Sequence, residues 1–224
     1  MKMVDLSHRL RTGSTVYPGD PRIRLSPAAT IEEDGFAVTS VEMGSHSGTH
    51  VDAPSHTIAK GRTMSDVAIE RLVGRAHLIR VPGLAAREPI GLERIGAALD
   101  ALPEEPRIVL IATGWDRHWE DDAYLEHPYL EAEVAARLRE LGVDVLGMDT
   151  LNPDPTWKAE ESGLPVHEAI LGSDGLIIEN LRGLMELPES ESSFEFSALP
   201  LSLDGADGAP VRAVAAVPKT EFGE

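Results

Sequence analysis

Ser45-His46-Ser47-Gly48-Thr49-His50-Val51-Asp52-Ala53-Pro54-Ser55-His56 is the stretch on which the reading of this chain turns. Three of the eight histidines and an aspartate fall within it, in the order H-x-x-x-H-x-D-x-x-x-H. Imidazole is the commonest protein metal ligand, and a carboxylate beside two imidazoles suits zinc or a similar divalent ion. His46 and His50 are four apart, as on one helical face, but Gly48 and Thr49 between them are poor helix formers. Pro54 biases Ala53 toward extended geometry, and the two-residue step from His50 to Asp52 points both side chains the same way on a strand. The pattern predicts a turn running into a short strand, with several side chains presented to one point.

Working outward, residues 36–43 are rich in β-branched side chains and read as a strand that delivers the chain into the cluster. Upstream, Asp5-Leu6-Ser7-His8 predicts an edge strand, with His8 as a solitary surface or cap histidine. Tyr17-Pro18-Gly19-Asp20-Pro21 is a stiff turn suited to the wall of a site. Downstream, residues 64–72 have helical spacing, and residues 76–81 form a strand in which His77 is a packed residue. Helices are predicted over 91–102 and 131–141, the latter closed by Gly142, and a short one begins at His167. Apolar strands cover 107–112, 143–148 and 175–180; further strands lie near 194–199 and 211–217, before a loosely held tail from Lys219. Strands and helices alternate in the middle, and no repeat or long linker divides the chain. Residues 1–224 therefore read as one mixed α/β domain.

Composition narrows the function. The formal net charge of -18 opposes binding to nucleic acid or an anionic membrane. The longest apolar runs are far too short to span a bilayer, and the first residues lack a charged-then-apolar leader pattern, so a cytoplasmic protein is expected. With no cysteine, histidine and carboxylate are the only strong ligands available. No phosphate-cradling glycine loop and no G-x-S-x-G elbow occur. Metal-assisted hydrolysis is the chemistry that remains. His167 and Glu179 are candidates to complete the site. Glu179 ends an apolar strand, either solvated at the rim or turned inward with a partner. Trp115 ends another, as a pocket wall for a flat substrate or as core.

The chain resembles the cyclase family of metal-dependent hydrolases, which includes bacterial kynurenine formamidase and isatin hydrolase. H-S-G-T-H-V-D-A-P-S-H matches that family's H-x-G-T/A-H-x-D-x-P-x-H at every fixed position. The likeness extends to Asp5-Leu6-Ser7, Tyr17-Pro18-Gly19-Asp20-Pro21, Thr113-Gly114-Trp115, Gly147-Met148-Asp149, and His167 followed by Glu179-Asn180-Leu181. The resemblance implies a swivelling β/β/α fold, usually assembled as a homodimer or homotetramer. It implies that His46, His50 and Asp52 bind one metal, that Asp52, His167 and Glu179 serve a second, and that His56 is the catalytic acid/base. One or two ions are expected, zinc in the first place and manganese as the alternative. The implied activity is hydrolysis of a small amide, either an aryl formamide such as N-formylkynurenine or a cyclic amide or imide, by metal-activated water. A lactone or ester hydrolase, or a non-catalytic metal or ligand module, is the alternative. Thr49 and the stretch Thr150-Leu151-Asn152-Pro153-Asp154 depart from the formamidase pattern, which leaves the substrate open.

Overall fold

The computed structural model describes residues 1–158, 161 and 163–218, with only the backbone of 158. The architecture follows from which strands carry apolar residues on one face and which on both. At the N-terminus, β1 (Lys2–Asp5) is half-exposed. An arm then leaves the body: β2 (Arg24–Ala29), the single helical turn α1 (Ile31–Asp34) and β3 (Val38–Glu42). Thr30 caps that turn, with its hydroxyl accepting from the Glu33 N–H, and Gly35 closes it. The strand expected over 36–43 is thus present, but it pairs only with β2 and every residue of it is exposed. The chain then enters β4 (His50–Asp52), which is buried throughout.

The middle of the chain alternates as expected: β5 (Val73–Arg80), the two-residue β6 (Pro89–Ile90), α2 (Leu92–Asp100) and β7 (Ile108–Ala112), then β8 (Tyr129–Leu130), α3 (Ala132–Glu140) and β9 (Val145–Met148). After them come α4 (Pro165–Leu171) and β10 (Leu176–Glu179), then β11 (Ser193–Pro200) and β12 (Gly208–Val217). Residues 64–72 differ from expectation. Instead of one helix they form two 3-10 turns, Met64–Asp66 and Ile69–Leu72, with Val67 and Ala68 extended between them. Thr63 and Asp66 cap each other and close the first turn, and the turns still bury Met64, Val67 and Leu72. The tail from Lys219 lies outside the described residues.

One sheet of eight strands runs β1-β12-β11-β5-β7-β9-β10-β4, and β4 pairs again with β12, which closes it into a barrel. Strands β5, β7, β9 and β10 are mutually parallel and joined through α2, α3 and α4. Because β7 is covered on both sides, all five of its residues are buried. Ile108, Leu110 and Ala112 pack with Val51, Phe196, Ala209 and Ala213 inside the barrel, whereas Val109 and Ile111 pack outward against α2, α3 and α4. Helices on one face of parallel strands and a barrel interior on the other form the two cores.

Candidate metal centre

Strand periodicity assembles the site. Val51 turns into the barrel, so its neighbours His50 and Asp52 turn outward, to the helix side. Across the antiparallel pair, Glu179 stands opposite His50 and Ile177 opposite Asp52. Glu179 therefore joins the two residues of β4, at the end of β10. The first turn of α4 brings His167 to the same point, with Pro165 at the start of that helix, where its missing N–H costs nothing. Asp52 is wholly buried, and His50, His167 and Glu179 are at most 5% exposed. Of the two positions left open for Glu179, the inward one is observed.

The hydrogen bonds around these groups fix which atoms are free. His50 Nδ1 lies 2.7 Å from the Gly48 carbonyl, which can only accept, so Nδ1 carries the proton and Nε2 is the lone-pair atom of the neutral ring. Gly48 permits this contact: its φ is +65°, and a Cβ there would sit 2.3 Å from Leu10 Cδ2. His167 Nδ1 lies 2.7 Å from Asp154 Oδ2, which leaves its Nε2 3.3 Å from Glu179 Oε1 and 3.8 Å from Asp52 Oδ2. His50 Nε2 is 3.2 Å from Asp52 Oδ1 and 3.3 Å from Glu179 Oε2. His46 places Nδ1 2.7 Å from Asp52 Oδ1 and Nε2 3.1 Å from Asp207 Oδ2.

Despite this crowding, His50 Nε2, Asp52 Oδ2 and Glu179 Oε1 are buried without any hydrogen-bond partner. Each such atom costs on the order of 1–3 kcal/mol unless something satisfies it. They lie in one buried cluster, and divalent ions held between these side chains would satisfy them. The donor atoms fall into two compatible sets, His46 with His50 and Asp52, and Asp52 with His167 and Glu179, each within 4.8 Å. Asp52 is common to both. An anchored Nδ1–H with a free Nε2, as on His50 and His167, is the arrangement that orients imidazole toward a metal.

Charge follows the same geometry. Burial alone would push His50 down, but Asp52 and Glu179 outweigh it and hold it well above its usual range. His167, also opposed by burial, is held up to about 10 by Asp154, Glu179 and Asp52. Burial raises Asp52, yet His50 and His46 bring it well below the carboxylate range. Glu179 is raised by burial and by Asp52, and brought down overall by His167 and His50.

Beside these groups opens a cavity of about 220 Å³, bordered by His56 and on its apolar side by Val16, Tyr17, Leu151 and Leu164. His56 ends the 3-10 turn Pro54–His56; its ring centroid is 3.9 Å from that of His46 and 5.8 Å from that of His167. The stiff turn expected to form a wall contributes Tyr17 and Asp20.

Trp115 is placed differently from the pocket-wall expectation. It is buried with Tyr124 and Leu151, its indole N–H donates to the Ala123 carbonyl at 3.2 Å, and it does not border the cavity. It belongs to the cluster behind the cavity wall, together with Leu151 and against Tyr17. His8 is half-buried rather than a free surface histidine. Its ring stacks on Trp119 at 4.1 Å, and burial, with Arg182 adding, pushes its pKa down to about 3.

Two carboxylates were not singled out from the sequence. Asp154 accepts from the Val166 and His167 N–H groups as well as from His167 Nδ1, so it both caps α4 and aims its histidine. Its signal was the N-P-D-P stretch, where the Asn152 side chain accepts from the Asp154 N–H in an Asx turn. Asp207, before β12, accepts from Ser45 Oγ at 2.8 Å and approaches both His46 and His56. Burial works against its ionised form, but Ser45 and His46 hold its pKa down to about 2. Nothing in its local sequence marked it.

Comparison with known proteins matches residues 4–155 to the family described as "Putative cyclase". The chain belongs to the cyclase family. Among its relatives, the kynurenine formamidase of Paracidovorax citrulli is 35% identical over 221 residues, covering 96% of each chain. That of Salinibacter ruber is 32% identical over 218 residues, covering 96% of this chain and 97% of that one. In fold, this chain superposes on an isatin hydrolase bound to the product analogue thioisatinate with a TM-score of 0.86, at 22% identity, covering 97% and 93% of the two chains. The α/β barrel with helices on one side is the cyclase-family fold, as the sequence resemblance implied.

Proposed function

We propose that this cyclase is a metal-dependent amidohydrolase acting on a C–N bond of a small, flat, non-peptide amide. The observation that carries the proposal is the set of three buried, unpartnered donor atoms on His50, Asp52 and Glu179, beside a cavity with an apolar wall. The formamidase relatives, aligned over nearly the whole chain, support the same reaction class. His46, His50 and Asp52 would hold one ion and Asp52, His167 and Glu179 a second; histidine and carboxylate without sulfur accept zinc or manganese. When bound, a divalent ion supplies Lewis acidity toward the carbonyl oxygen and brings the pKa of water toward ~7.

The protein's own groups do the rest. Tyr17, Leu151 and Leu164 provide the apolar surface for a ring and keep water off one side of the amide. His56, at the cavity edge, accepts the proton of the attacking water and returns it to the departing nitrogen. Water thus adds across the C–N bond to give a carboxylic acid and an amine.

Outside the donor sets the cavity lining carries the carboxylate of Asp20, and no lysine or arginine borders it among the described residues. A neutral aryl formamide or cyclic imide is therefore favoured over an analogue bearing a free carboxylate. One unscreened like-charge contact costs about 1–4 kcal/mol. The kcat/KM for the neutral compound should exceed that for the carboxylate-bearing one by about tenfold or more. A matched pair assayed with zinc- and manganese-loaded protein tests this. Inactivity on every amide with both ions would overturn the hydrolytic reading, and preference for the carboxylate would overturn the substrate reading.

No helix among the described residues is long and apolar enough to cross a membrane. We read residues 1–224 as one catalytic domain, since β1 pairs with β12. The arm formed by β2 and β3 exposes Ile31, Phe36, Val38 and Val41 and leads straight into the site, which supports a homodimer or homotetramer. Sedimentation of the Phe36→Asp variant should show a smaller species than the parent; identical sedimentation would remove the arm from the assembly.

A further inference from the structure

We propose that Asp207 is a positioning residue for His56, so that the two work as a carboxylate–imidazole pair. The inference rests on the hydrolytic reading above and deepens it.

Asp207 is set by backbone geometry rather than by a flexible reach. Its carbonyl accepts the Ala53 N–H at 2.9 Å, which ties the turn before β12 to the residue that leaves β4. The next residue, Gly208, pairs with Asp52 in the sheet. A Cβ on Gly208 would lie 2.7 Å from His46 Cε1 and 2.8 Å from the Val51 carbonyl, so only glycine lets β12 come this close to the histidines. The carboxylate is then held at one end, with Oδ1 accepting from Ser45 Oγ at 2.8 Å. Its other oxygen, Oδ2, lies 3.4 Å from His56 Nδ1 and 3.1 Å from His46 Nε2.

A carboxylate can only accept, so its presence at Nδ1 places the His56 proton there and leaves Nε2 with the lone pair. A base whose ring is turned and whose tautomer is chosen by a fixed carboxylate takes a proton without first reorganising. The pair also stabilises the imidazolium formed when His56 holds the water's proton. The step balances: one proton goes from water to Nε2 and on to the leaving nitrogen, and Asp207 is not protonated.

Because Asp207 touches both histidines, two other roles compete: support of His46 alone, or ligation of an ion together with His46 and His56, whose donor atoms lie within 4.8 Å of one another. Four proteins separate them: the parent, Asp207→Asn, His56→Ala and the double variant, each assayed on a neutral aryl formamide and analysed for bound metal. The inference predicts that Asp207→Asn lowers kcat by about 10–100-fold, with bound metal and KM unchanged within about twofold. In the His56→Ala background the same change should cost less than about twofold, because its route of action is gone. An equal loss in both backgrounds would assign Asp207 to His46, and loss of metal would make it a ligand; either overturns the proposal, as does an unaltered kcat. Asp207→Glu should recover part of the lost rate. Long-range ¹H–¹⁵N spectra of the metal-loaded protein read the tautomer directly: His56 is the Nδ1–H form in the parent and loses that preference in Asp207→Asn. This signal does not depend on turnover, so failure of the hydrolytic reading and failure of the positioning role are told apart.

Discussion

His56→Ala is expected to keep its bound metal and to lose roughly 10²–10⁴-fold in kcat, the usual worth of a positioned general acid/base. The separation of the two effects follows from placement. The candidate ligand sets on either side of Asp52 are complete without His56, and none of the unpartnered donor atoms among them belongs to it. Its side chain is 28% exposed and borders the cavity, so its removal opens no sealed core and should change stability by no more than about 1 kcal/mol. Elemental analysis beside single-turnover kinetics checks both halves. If the variant loses its metal, His56 is a ligand; if it turns over normally, the proton passes elsewhere.

Asp52→Asn should have the broadest effect of any single substitution. Asp52 is the one residue common to both donor sets, and its carboxylate is wholly buried against His46 and His50. An amide keeps the shape but removes the charge and one acceptor oxygen. Metal affinity should fall by more than about 100-fold, since the change removes a direct ligand where loss of an outer partner alone costs 10–100-fold. Stability without metal should fall by about 3 kcal/mol, the lower end for breaking a buried pair. The pH dependence has a definite sign. Asp52 is held well below its ordinary range, so its contribution is present above about pH 4 and is lost as the pH falls toward the folded-state value. Urea denaturation of parent and variant should therefore diverge at neutral pH and converge in acid. A variant that retains both stability and metal would contradict the bridging position of Asp52.

Much of this arrangement was legible in the sequence because it rests on short-range rules. The two-residue step from His50 to Asp52 gave a strand with both side chains on one face, and β4 has that form. The apolar runs that became β7, β9 and β10 announced strands buried on both sides, and α2 and α3 declared themselves by helical period. Where tertiary context decided, the sequence was silent or misleading. Residues 64–72 had a helix's spacing, but the capping of Thr63 by Asp66 and the extended Val67 divided them into two turns. The strand β2 was missed because Pro27 interrupts it, and a proline is tolerated there only because the arm's edge faces solvent. Trp115 does not end its strand, which stops at Ala112; it opens a 3-10 turn, and chain packing sets it behind Leu151. Thr49, a departure from the formamidase pattern, is buried and does not border the cavity; its hydroxyl donates to the Asn180 carbonyl at 2.5 Å and accepts the His8 N–H. The N-P-D-P turn marks Asp154 but not its partner His167 in the next helix, and Asp207 meets His46 and His56 over a distance in the chain that no local pattern encodes.

The central claim is that His46, His50, Asp52, His167 and Glu179 form a divalent-metal centre for hydrolysis. Calorimetric titration of chelator-stripped protein with zinc and with manganese, in two buffers of different ionisation enthalpy, tests it most directly. Without an ion, the surrounding carboxylates hold His167 up to about 10, so its ring carries a second proton at neutral pH, and they raise His50 above its usual range. Ligation needs the neutral rings, so binding must expel protons and tighten as the pH rises. The same shift means that the stability His167 gives the ion-free protein is complete below about pH 6.5 and is lost as the pH rises through about 10. The predicted result is saturable binding of one or two ions, with release of at least one proton, abolished by Asp52→Asn and accompanied by return of amide hydrolysis. Binding without proton release, binding undiminished in Asp52→Asn, or full hydrolysis by the stripped protein would contradict the account.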